Sequence, residues 1–175
     1  MKLHCIKSIL NVICLLLFIS LPAVYTSGQI KIKNKIHKDV PLKIEVENAN
    51  SEKWVNELEI KVTNTGEKPI YYLYFLLVID DVKNEEGVDI GFTFTFGDGR
   101  NYSRDELARP TDASIKPNQS HTFKINEKVA KRWEVGKSRN SFIEPKAAYF
   151  RLGWISFGDG TARDGAGKLL EKPNR

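Results

Sequence analysis

The chain has 175 residues, 27 basic and 22 acidic side chains, a formal charge of +5, and two cysteines. So mild a charge excess excludes nucleic acid as a partner, which needs a concentrated basic face. Both cysteines, Cys5 and Cys14, lie near the N-terminus, so everything downstream is excluded from disulfide, thiol-nucleophile and thiolate-metal chemistry.

Residues 1–28 read as a cleavable export signal. Lys2 and Lys7 form a positive n-region, Ile9 to Val24 an apolar h-region, and Thr26, Ser27 and Gly28 supply small residues before a cut. The apolar core is shorter than the roughly 20 residues of a membrane helix. The expectation is a secreted, periplasmic or extracellular protein with no stable membrane anchor after cleavage and a cysteine-free mature chain. Its domain spans 29–165, followed by a flexible C-terminal tail over 166–175.

In chain order the mature sequence reads as strands. From Gln29 to His37, Ile30, Ile32 and Ile36 alternate with Lys31, Lys33 and Lys35, which suits a half-buried edge strand whose lysines discourage pairing. Val40 to Val46 repeats the period of two. Trp54, Leu58, Ile60 and Val62 share a parity and predict a third strand over about Val55 to Thr63. After the turn Asn64-Thr65-Gly66, Ile70 to Asp80 is apolar on both faces, and its aromatic and β-branched content favours a central strand.

Phe92, Phe94 and Phe96, alternating with Thr93 and Thr95, mark a fifth strand from about Val88. Arg100 to Ala113 reads as a long polar loop. Lys116 to Gln119 is a turn before a sixth strand, Ser120 to Ile125. Asn126 is placed to cap a short helix through Val135, with Gly136 as its stop. Tyr149 to Phe157 is the last clear strand.

Seven to eight strands and one short helix predict an all-β fold, an antiparallel β-sandwich. The segment Leu58 to Ile70, a strand ending in Asn-Thr-Gly and restarting at Pro69-Ile70, resembles the two-strand unit of bacterial immunoglobulin-like and fibronectin-like domains. Ile115 to Ile125 resembles the Pro-Gly-x-Ser turn of those domains, with Asn118 in place of the glycine. Trp154 to Thr161 is similar to the Trp-x-Phe-Gly-Asp-Gly-Thr core of polycystic-kidney-disease-type sandwich domains, with one extra residue after the tryptophan. It is also similar to the C-terminal strand of exported bacterial proteins. The resemblance implies an immunoglobulin-like fold and brings no activity with it.

Phe-Gly-Asp-Gly occurs twice, at 96–99 and 157–160, each time closing an apolar strand. Tight-turn chemistry accounts for the motif, because glycine takes positive φ and Asp bonds nearby amides. If both strands run the same way in neighbouring positions, the two motifs share one end of the sandwich. Asp98, Asp159, Thr161 and Asp164 would then offer oxygens to Ca²⁺, which takes roughly six to eight of them. Downstream of residue 28 only His37 and His121 remain. They lack the spacing of a zinc site or of a recognisable hydrolase, and no phosphate-binding glycine loop is present.

Basic residues Lys128, Lys131, Arg132, Lys137, Arg139 and Lys146 gather around the helix, where Trp133, on an amphipathic turn beside them, is the first aromatic to test for stacking on a sugar ring if exposed. The candidate binding surface is therefore Trp133 and Arg132 together with Asp98 and Asp159. The function expected is a non-enzymatic exported module binding a protein or a cell-surface polysaccharide through its end loops. Two alternatives are a Ca²⁺-assisted carbohydrate-binding module and a hydrolase using a carboxylate pair on loops.

Overall fold

The computed structural model describes residues 30–84, 86–140 and 145–172. The expected leader, both cysteines and the last residues of the expected tail lie outside them. Among the described residues nine strands form two packed sheets. The larger sheet joins β4 (Tyr72–Lys83) to β5 (Asp89–Phe96) on one side and to β7 (Ala147–Ser156) on the other. On the far side of β7 lie β1 (Lys31–Asn34), paired in parallel, and β8 (Ala162–Asp164), which in turn pairs with β9 (Leu169–Leu170). The smaller sheet has the order β2 (Leu42–Glu47), β3 (Glu59–Asn64), β6 (Ser120–Lys124), antiparallel throughout.

Alternation decides which side chains close the core. Ile60 and Val62 of β3, Phe123 of β6, Leu73, Phe75, Leu77 and Ile79 of β4, and Phe150 and Leu152 of β7 are all buried. Phe75 lies 5.0 Å from the Phe94 ring, 5.0 Å from Phe123 and 6.0 Å from Phe150, so one ring bridges both sheets. The doubly apolar run after Pro69 is a central strand, as its composition predicts. Its inner residues are buried, and Tyr72 and Tyr74 lie half-buried on the outer face.

Three elements differ from the sequence reading. Trp54 is not in a strand: Trp54–Glu57 forms one helical turn, α1, and β3 begins only at Glu59. The turn brings Trp54, Val55 and Leu58 all to the core, where a strand would turn Val55 outward. Ser51 closes it, accepting the Lys53 N–H at 3.1 Å and bonding the Glu57 carboxylate, while Asn48 Nδ2 donates to the Glu57 carbonyl at 3.0 Å.

Asn126 does cap the second helix, accepting the Lys128 N–H at 2.9 Å, but α2 runs Glu127–Asn140, straight through Gly136. An interior glycine costs about 1 kcal/mol relative to alanine. Burial of Ala130 and Trp133 on the same helix outweighs that. Lastly, the Gly-rich stretch after Gly160 carries the β8–β9 hairpin, so the sheet continues past residue 165 into the expected tail. Strands of three and two residues are too short for alternation to register.

Candidate functional site

β5 and β7 are both antiparallel to β4, so they run the same way and finish on either side of its first residues. The two Phe-Gly-Asp-Gly motifs therefore share one end of the sandwich, with β4 between them. Both need glycine at their second position. Gly97 has φ +91° and Gly158 +72°. A Cβ on Gly97 would lie 1.9 Å from the Tyr71 carbonyl oxygen, and one on Gly158 2.4 Å from the Tyr71 ring.

The two aspartates turn to different partners. Asp98 accepts the Arg100 N–H at 2.9 Å and the Arg100 guanidinium at 3.1 and 3.2 Å. Arg100 also donates to Asp112 at 3.1 Å. Asp112 accepts from the Arg109 N–H at 2.8 Å and from Asn101 Nδ2 at 3.3 Å. Hydrogen bonds from Arg100 hold the Asp98 carboxyl below its ordinary value, and the Arg109 N–H does the same for Asp112. The polar loop of the sequence reading is thus tied down, with the one-turn 3₁₀ helix Gly99–Tyr102 at its start and Asn101 buried within it.

Asp159 accepts from the Thr161 N–H at 2.9 Å, the Thr161 hydroxyl at 2.5 Å and Lys68 Nζ at 2.7 Å. Partial burial opposes its ionisation, but hydrogen bonds from Lys68 and Thr161 win and the carboxyl stays low. Asp164 closes the β8–β9 turn, accepting the Ala166 and Lys168 N–H groups at 3.0 Å each. Of the four residues predicted for a metal, only Asp159 and Thr161 come together, beside the Lys68 ammonium. Among the described residues no three His, Cys, Asp or Glu side chains form a metal-holding group.

Lys68 was not singled out by sequence, and it joins the β3–β4 loop to the β7–β8 loop. A pocket of about 250 Å³ opens beside that bridge, lined by Pro41, Lys68, Phe157, Thr161, Arg163 and Leu169 among others. On the outer face of the large sheet, Tyr102 from the long loop is 52% exposed. Its ring stands 5.6 Å from Tyr72 and 5.1 Å from Trp154. The Trp154 Nε1 is buried without a hydrogen-bond partner among the described residues. No periodic signal marks Tyr102, because it ends a one-turn 3₁₀ helix inside a loop and lies in no strand.

Trp133, the aromatic singled out for a binding surface, is buried. It is 8% exposed and packs 5.4 Å from Phe92 and 6.1 Å from Trp54, because α2 lays its apolar stripe on the open end of the core. Arg132 beside it is exposed. Among the described residues no helix is long and apolar enough to cross a membrane. Compared with protein-family models, with curated proteins and with solved structures, the chain matches none.

Proposed function

We propose that this chain is an exported, non-enzymatic module of the immunoglobulin-like sandwich type that binds a protein or surface partner through the loops at its Gly-Asp-Gly end. The strand order supports the fold part of this reading. β2-β3-β6 facing β5-β4-β7-β8 follows the A-B-E and C′-C-F-G order of immunoglobulin-like domains. In variable-type immunoglobulin domains the connections after B, C′ and F make the recognition face.

The observation that carries the functional part is that the corresponding connections here, after β3, β5 and β7, converge on one end. There Lys68 and Asp159 bridge two of them beside an aromatic-floored pocket. Loops held by a rigid scaffold are where binding residues concentrate. A photo-crosslinking residue at Glu67, on this end, is expected to capture a partner from the cell-surface fraction. The same residue at Asn50, on the opposite end, is expected to capture none. Equal capture at both positions sinks the reading. So does turnover on a panel of chromogenic esters and glycosides that is lost in Asp98→Asn, which would promote a loop-carboxylate hydrolase.

A second reading, a Ca²⁺-assisted carbohydrate-binding module, is favoured by Tyr102 standing exposed over Trp154 and Tyr72, since such rings stack on sugars. A glycan array read with Ca²⁺ and with chelator separates it from the first. Metal-dependent glycan retention supports it, and no retained glycan removes it.

A further inference from the structure

Among the described residues the small sheet packs on the inner face of the large one, and the outer face of the large sheet presents aromatic rings. The β4–β7 register shifts between Tyr74 and Phe75, leaving Gly153 as the extra residue of a bulge. A Cβ on Gly153 would lie 2.1 Å from the Tyr74 ring, so that ring lies across β7 where a side chain would otherwise stand. Tyr74 is paired in register with Trp154, and Tyr102 stands 5.1 Å from Trp154 and 5.6 Å from Tyr72. These rings form one shelf, with Tyr102, 52% exposed, at its rim. On its β5 side, exposed Thr93 and Thr95 border it.

Further along the strands the same face turns basic. Leu76 pairs with Arg151, Val78 with Tyr149, and Tyr149 with Lys33. Alternation puts Lys35 on the face as well, and its ammonium lies 3.5 Å over the Tyr149 ring. That contact holds the charge down on the sheet. Arg151, Lys33 and Lys35 are exposed and form no ion pair among the described residues. The carboxylates that the registers place on this face do not cancel them. Asp89 is paired with Lys83 at 3.5 Å, and Asp164 accepts two amides of its own turn. Asp80 stands level with Lys31, beyond Tyr149, and offsets that lysine. Three cations remain beside the shelf.

We infer that this face binds an anionic polysaccharide laid along the strands, with its rings on the Tyr74–Trp154–Tyr102 shelf and its carboxylate or sulfate groups on Arg151, Lys33 and Lys35. The strip from Tyr72 to Val78 runs about 20 Å, more than one sugar unit, so a polymer fills it where a monosaccharide does not. Side chains two apart on a strand stand about 7 Å from one another, which gives a repeating anion a repeated partner. An anionic membrane would meet the same cations, but Tyr72, Tyr74, Leu76 and Trp154 are half-buried and do not reach out to insert. This binding rests on the sugar-stacking half of the second reading above and dispenses with its calcium.

Residues 29–175, which hold every described strand, are titrated in chelator with fluorescein-labelled polygalacturonate, its methyl-esterified form, chondroitin sulfate and a neutral β-glucan. Anisotropy is expected to rise saturably with polygalacturonate or chondroitin sulfate, and about ten-fold more weakly or not at all with the esterified and neutral chains. Raising salt from about 50 to about 500 mM weakens the binding, because exposed charges are screened. Tyr102→Ala and Arg151→Glu, both at exposed positions, each weaken it by about ten-fold with unchanged melting temperature. Lys61→Glu, the same charge change on the small sheet, leaves it unaltered. No saturable binding of either anionic chain overturns the inference. So does equal binding of the esterified chain, indifference to Tyr102→Ala, or an equal loss with Lys61→Glu, which would reduce the effect to net charge. Binding that requires Ca²⁺, or retention of the neutral glycan alone, leaves the second reading standing and overturns this one. Binding to phosphatidylglycerol vesicles with none to either polysaccharide gives the face to a membrane and overturns it equally.

Discussion

Asn64 shows how one side chain joins parts of the chain that local pattern cannot connect. It is fully buried. Its Nδ2 donates to the carbonyls of Lys68 and Ile115 at 2.9 Å each, and its Oδ1 accepts the Gly66 N–H at 2.9 Å. Asn64→Ala removes three hydrogen bonds, the one to the Ile115 carbonyl being buried, at about 0.5–1.5 kcal/mol for each bond lost. The expected outcome is a loss of about 2–4 kcal/mol in denaturant unfolding, with no rescue by Asp, which lacks the donor. Asn-Thr-Gly announced a turn in the sequence. The partner at Ile115 did not appear there, because it lies 51 residues away. His121 is a second case. Its ring sits 4.8 Å from the Phe96 ring and 4.7 Å from Phe123, neighbours that no local pattern announces, and burial lowers its pKa. In the unfolded chain it titrates near about 6.5. As pH falls through that value the unfolded state takes up the proton first, so stability declines until the lower folded-state pKa is passed. Asp98, Asp112 and Asp159 are shifted down, so their contribution is present above the ordinary carboxylate value of 3.8 and is lost only below it. Melting temperatures from pH 7 to 5 are therefore expected to fall in the native chain and to flatten in His121→Gln. An unchanged slope in the variant removes the assignment.

At the scale of elements, the repeated motif separates into positions that demand glycine and one that does not. Gly97 and Gly158 have positive φ and press against Tyr71, whereas nothing lies within 4 Å of a Cβ built on Gly99. Gly97→Ala and Gly158→Ala are expected to cost more than about 1 kcal/mol each, since the new methyl meets both strain and a clash. Gly99→Ala is expected to stay within about 0.5 kcal/mol. Equal effects at all three positions in thermal melts would show that the Tyr71 packing is unimportant. Strands whose two faces differ in polarity were legible from their period, and so was the Asn126 cap, because each signal is local. The misassigned elements have a shared cause. Trp54 and Leu58 stand four residues apart, a spacing that satisfies a period of two and one helical turn alike. The burial of Val55 beside them and the bonds from Asn48 and Ser51 to Glu57 decide for the turn. Gly136 looked like a stop because glycine usually ends helices, and the Trp133–Phe92–Trp54 cluster that carries α2 onward draws on three elements distant in sequence.

For the whole molecule, the question is what locks two sheets together where immunoglobulin domains of the antibody type use a disulfide between them. No cysteine occurs after Cys14, so the lock is packing. Phe75 stands at its centre, with Phe94 and Phe150 from its own sheet and Phe123 from the facing one within 6.0 Å. Sequence made each of these strands visible without showing that their phenylalanines converge, since pairing order across two sheets leaves no trace in the period of any one strand. A disulfide contributes about 2–4 kcal/mol, and removing a buried phenylalanine costs about 3–5 kcal/mol. This single ring is therefore comparable with the missing cross-link. Against a total stability of about 5–15 kcal/mol, Phe75→Ala is expected to bring the chain close to its unfolding threshold. Tyr72→Ala, on the outer face and half-buried, is expected to leave a cooperative transition with a modestly lower midpoint. Guanidinium titrations of the two variants in reducing buffer make the comparison. Equal midpoints would mean that the sheets are held elsewhere than at the phenylalanine cluster.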